Sequence, residues 1–129
     1  MKAGEDSAWK VVYCDRIPSP AIALYGIDKA LPTIMVTGSH IPADRNGIKF
    51  NHPQGEISKK DEQGIVSQSV DFDEAIFDAQ GMLKNAPELP AVEMEAEENY
   101  LKRYPAFFGP RALAGLTIGV YQHSAVGRD

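Results

Sequence analysis

The segment 33-TIMVTGSHIPADRNGIKFN-51 decides the fold. Thr33–Thr37 is a short run rich in β-branched residues, which predicts a buried strand. It breaks at Gly38, passes Ser39 and His40, and turns through Ile41 and Pro42 before apolar residues resume at Gly47. A serine beside a histidine just past a strand end is open to several readings. It can be a plain turn, since glycine, serine and proline all favour one. It can be the start of a Ser-His-Asp triad, although adjacent residues seldom place an imidazole on the neighbouring Oγ and no Gly-x-Ser-x-Gly elbow is present. It can also belong to a zinc site of His40, His52 and Asp44, although no helical pattern presents two of the three histidines on one face.

Working outward, 9-WKVVY-13 predicts another strand, and 16-RIPSP-20 ends it, because two prolines cannot continue a ladder. Ser19 is the expected N-cap of a helix with Pro20 in its first turn, running to Ala30. Strand, helix and strand of these lengths predict a right-handed parallel βαβ unit. Ligands bind such sheets beyond the carboxyl ends of the strands, which is where Ser39 lies, with Arg16 at the matching place after the first strand. Downstream, residues 47–51 and 56–57 flank His52-Pro53-Gln54-Gly55 as a hairpin, so the sheet is expected to be mixed. Ser58 should cap a short helix to about Ser67. Apolar spacing predicts further helices over 71–84 and 93–103, the second acidic at its start and basic at its end. Gly109-Pro110 is a break, and 116–121 reads as a last strand.

Bulk composition narrows the function. The 129 residues, 43% hydrophobic and 24% charged, suit one small globular domain of ordinary composition. Net charge is −5 and no basic cluster exceeds Lys59-Lys60 or Lys102-Arg103, which argues against nucleic acid as a partner. The amino terminus has no apolar signal region and no eighteen apolar residues run together, so neither export nor a membrane is expected. Cys14 is the sole cysteine, consistent with a reducing, cytoplasmic setting.

Thr37-Gly38-Ser39-His40-Ile41-Pro42, followed by Asn46-Gly47 and by Lys49 ten residues after the serine, resembles the active-site serine loop of the α-D-phosphohexomutases. These are the phosphomannomutases and phosphoglucomutases. Arg16 through Ala21 is similar to the family's Pro-Thr-Pro segment, and 55–57 and 119–124 are similar to its phosphomannomutase branch. Ile41 stands where the family usually has asparagine. The resemblance implies a truncated first domain over 1–110, carrying the phosphoserine loop, and the first strand of a second domain over 111–129.

It further implies interconversion of hexose 6-phosphate and hexose 1-phosphate, of mannose or glucose, through a phosphoserine and a hexose 1,6-bisphosphate that also acts as activator. Ser39 matches the phosphoserine, His40 a proton carrier or orienting donor, and Lys49 a charge beside the transferring group. Arg16, Gly38 and Asn46 would lie near substrate or phosphate. Magnesium would be met by the phosphate oxygen on Ser39, its other ligands lying outside this sequence, which has no Asp-Gly-Asp-x-Asp-Arg segment. The sugar-reading Gly-Glu-x-Ser-Gly-His loop is also absent. A fragment of such an enzyme, inactive alone, is the expectation, and a non-catalytic binding module of the same descent is the alternative. A missing first strand would leave a sheet edge through which copies could associate.

Overall fold

A computed structural model describes residues 7–38, 41–42, 44–123 and 125–128. Helix α1 spans Ser19–Lys29. Its N-cap is Pro18, one residue before the expected Ser19, and the Pro18 carbonyl accepts from the amides of Ala21 (2.8 Å) and Ile22 (3.4 Å). Ala30 ends it in the left-handed conformation, its amide returning to the carbonyls of Gly26 and Ile27. Strand β1, Thr33–Thr37, follows directly.

β1 pairs antiparallel with β2, Gly47–His52, and β2 pairs antiparallel with β3, Gly55–Glu56, giving the order β1-β2-β3. The α/β class and the hairpin around His52 follow the sequence reading. The parallel βαβ unit does not form among the described residues. Only Tyr13 of the expected first strand pairs, in a parallel bridge to Val92, and Trp9 is exposed. Positive φ at Ala8 (58°) and Asp15 (52°) bends the chain at both ends of that stretch, and no described strand pairs with it beyond Tyr13.

Helix α2, Lys59–Val66, starts at a complete capping box: Asp61 N–H donates to Ser58 Oγ (3.3 Å) and Ser58 N–H donates to Asp61 Oδ2 (2.9 Å). The helix expected over 71–84 is instead one 3₁₀ turn, Glu74–Ile76, and a tight return that brings Phe77 and Leu83 into an antiparallel bridge. Aspartates drive the change. Asp73 Oδ1 accepts from the Ala75 amide, and Asp78 Oδ1 from those of Gln80 and Met82, each at 2.9 Å. Short carboxylates thus take backbone donors that a helix would use, and Gly81 at φ +77° completes the turn. Helix α3, Glu95–Phe108, runs past its expected end and through Pro105, so its last turn carries no base. Gly109 closes it at φ +79°. Residues 116–121 belong to no strand; their large side chains are exposed and no described strand lies alongside them.

Contacts divide the chain into two units. One holds the residues up to Tyr13 and Ser58–Val92; the other holds Cys14–Ile57 and the residues from Glu93 onward. The second contains the core: Cys14, Ile17, Ala21 and Ala96, with Ile22, Tyr25 and Tyr100 packed around them. Ala21 on α1 and Ala96 on α3 are small enough to let the two helices approach closely. Burial raises the Cys14 thiol pKa, and the Glu93 carboxylate adds to the effect.

Candidate active site

The serine-bearing loop, 38–46, joins the two arms of one hairpin. Thr37 and Gly47 face each other at its base, followed inward by Val36 and Ile48, then Met35 and Lys49. Inside the loop the Gly38 carbonyl accepts from Ile41 N–H (2.9 Å), and the Pro42 carbonyl accepts from Arg45 N–H (3.1 Å). A Cβ placed on Gly38 meets nothing within 4 Å among the described residues. Ser39 and His40, the expected phosphoryl carrier and proton carrier, lie outside the described residues.

Lys49 is exposed on β2, on the face that also carries Met35. Asn46 precedes β2 and is exposed, and beside it Arg45 Nε is 3.5 Å from Asp44 Oδ1. The fold thus brings Gly38, Asn46 and Lys49 to one end of one hairpin. Arg16 is placed in the segment before α1, with 85% of its side chain exposed and its Nε 4.0 Å from Asp15 Oδ1. It follows a bend, not a strand. Among the described residues no three histidine, cysteine, aspartate or glutamate side chains converge, so these residues do not by themselves fit a metal centre. No helix among them is long and apolar enough to cross a membrane.

The sequence reading missed a polar pair at the far end of the hairpin. Asn51 Nδ2 donates to Thr33 Oγ1 at 2.9 Å, and Thr33 is the buried polar residue of the sheet. Its only trace in the sequence is a hydrophilic residue at the end of each predicted strand.

A family profile for phosphoglucomutase/phosphomannomutase, alpha/beta/alpha domain I, matches residues 6–75. The chain is 44% identical over 118 residues to a phosphomannomutase of Sinorhizobium fredii (strain NBRC 101917 / NGR234), covering 92% of this chain. It is 42% identical over 125 residues to a phosphomannomutase of Salmonella muenchen, covering 97%. It spans 24% of the length of each of these curated relatives. With the profile matched across α1, the β1–β2 hairpin and α2, and the identity sustained through almost all of its residues, the chain belongs to the phosphoglucomutase/phosphomannomutase family.

Proposed function

We propose that this chain supplies the phosphoserine loop of a phosphohexomutase that interconverts hexose 6-phosphate and hexose 1-phosphate. The observation that carries the reading is a hairpin that brings Gly38, Asn46 and Lys49 to one end, in a chain whose sequence carries the family-specific serine motif between its two arms. Ser39, phosphorylated on Oγ, gives its phosphoryl group to the free hydroxyl of a bound hexose monophosphate. The resulting bisphosphate turns round, and Ser39 Oγ recovers a phosphoryl group from the opposite end, so no phosphate is lost. His40 would carry the hydroxyl proton. Lys49, on the β2 arm, would offset negative charge gathering on the transferring oxygens.

In this reading Arg16 stands near the substrate phosphate, and residues 1–110 form part of the first domain, with 111–129 opening the second. The substrates are mannose or glucose phosphates, the setting is cytoplasmic, and a hexose 1,6-bisphosphate primes the serine. Magnesium would be held in part by a phosphate oxygen on Ser39 and would supply charge neutralisation. The chain alone is expected to show no turnover.

A chimera tests this, with these residues replacing the matching segment of the Salmonella muenchen relative. After incubation with glucose 1,6-bisphosphate, phosphopeptide mapping should place the label on Ser39; label on Ser58 or Ser124 instead would overturn the assignment. Lys49→Ala in the chimera should lower kcat by about 10²-fold, the loss typical of one electrostatic stabiliser, with a smaller change in KM.

A further inference from the structure

We infer that Thr33 and Asn51 are a positioning pair whose hydrogen bond sets the register of the serine-loop hairpin and so decides which face Lys49 occupies. The role given to Lys49 rests on the proposed phosphoryl transfer; the register itself does not.

Side chains alternate along a strand, so the cross-strand partners Thr33 with Asn51, Met35 with Lys49 and Thr37 with Gly47 share one face. Ile34, Val36, Ile48 and Phe50 share the other. A slip of one residue would exchange the faces and carry Lys49 to the opposite side of the sheet. Hydrophobic patterning resists such a slip only where one face is buried and the other is not. Here the discrimination is weak, because Ile34, Val36 and Ile48 are about 60% exposed. The loop gives little help either, since the length of 38–46 sets no tight turn that would impose a register.

The polar pair supplies what is missing. Thr33 is only 7% exposed, and its methyl group is pressed against α1, where a Cβ built on Gly26 would lie 2.3 Å from Thr33 Cγ2. Its hydroxyl cannot turn to solvent and accepts from Asn51 Nδ2 at 2.9 Å. In a slipped register Asn51 would face away and the buried oxygen would lose this donor, a penalty worth up to about tenfold in the register equilibrium. The anchored strand is β1, and through Asn51 it aligns β2, with Lys49 one same-face step toward the loop.

The test is cross-strand NOE measurement on the 129-residue chain. The wild type should show contacts of the Lys49 side chain with Met35 and its same-face neighbours, and none with Ile34 or Val36. Thr33→Val keeps the shape and removes the oxygen, and Asn51→Ala removes the donor from the less buried strand, where loss of core packing is not at issue. Each should add a second set of contacts placing Lys49 with Ile34 or Val36, and Thr33→Ser should restore the single set. In the chimera, Thr33→Val should lower kcat by no more than about tenfold, in step with the share of chains in the slipped register and with KM little changed, and Thr33→Ser should recover it. A single Met35–Lys49 set in both Thr33→Val and Asn51→Ala, with only a lower Tm, would overturn the inference. Phosphate found on a residue other than Ser39 would remove the catalytic meaning and leave the NOE result standing.

Discussion

A methyl group added at Gly26 would meet Thr33 Cγ2 at 2.3 Å and the Leu31 carbonyl oxygen at 2.8 Å. The second of these is backbone, held where the Leu31 amide donates to the Gly26 carbonyl at 2.8 Å, so it cannot step aside. Gly26→Ala should therefore destabilise the chain by about 1–3 kcal/mol, read as a lower midpoint in urea unfolding. Lys29, three residues on, places Nζ 2.6 Å from Glu95 Oε1 and ties α1 to α3. The bond holds the Glu95 carboxyl below its ordinary 4.5 and raises the Lys29 amine above its ordinary 10.5. A depressed acid stabilises above its unfolded pKa and loses that contribution as pH falls through its folded value. A raised amine stabilises below its unfolded pKa and loses its contribution as pH rises through its folded value. The pair thus holds between these limits, weakly, since both side chains are partly exposed. In thermal melts, Glu95→Gln should lose less Tm than the wild type when pH is taken from neutrality to below 4.5, the ordinary carboxyl value.

Among the elements, α2 has the plainest cause. Its end is satisfied by Ser58 and Asp61 reciprocally, and no residue of the helix is buried, so local bonds carry much of its stability. Ser58→Ala should cost about 1 kcal/mol, with the loss seen as faster amide exchange over 59–66. The same cap explains why α2 was legible in the sequence: the signal was local and nothing distant opposed it. β1, α1 and the turn at Gly55 were legible for the same reason. The stretch 71–84 was not, because its apolar spacing fits a helix while Asp73 and Asp78 spend their carboxylates on backbone amides, a competition that spacing does not reveal. The stretches 9–13 and 116–121 have strand composition, but a strand needs a neighbour, and pairing is a non-local choice. The site divides in the same way. The strands that flank the serine loop, with Lys49 on the second, follow from apolar runs and turn residues, whereas the Thr33–Asn51 bond depends on a register set across residues 38–46 and is invisible in a linear reading.

Across the whole molecule, burial is concentrated in one unit. Cys14, Ile17, Ala21, Thr33 and Ala96 all belong to it, and among the described residues the other unit has none buried. The outer face of the sheet is apolar and open, with Ile34, Val36 and Ile48 all exposed, and β1 stands at the edge of the order β1-β2-β3. An edge strand offers main-chain donors and acceptors to another chain, and proteins that stay monomeric guard such edges with charge, proline or a bulge. Thr33–Thr37 has none of these. A second copy of the chain is the expected occupant of such an edge, since it would bring an identical apolar strand with matching alternation. Sedimentation coefficients of the 129-residue chain should therefore rise with protein concentration. Val36→Lys, which puts a charge on the exposed face of the edge strand without touching Thr33 or Met35, should return the chain to a concentration-independent monomer. A wild-type chain that stays monomeric at the highest attainable concentration, or a Val36→Lys variant that associates as strongly, would place any contact between copies elsewhere than on β1.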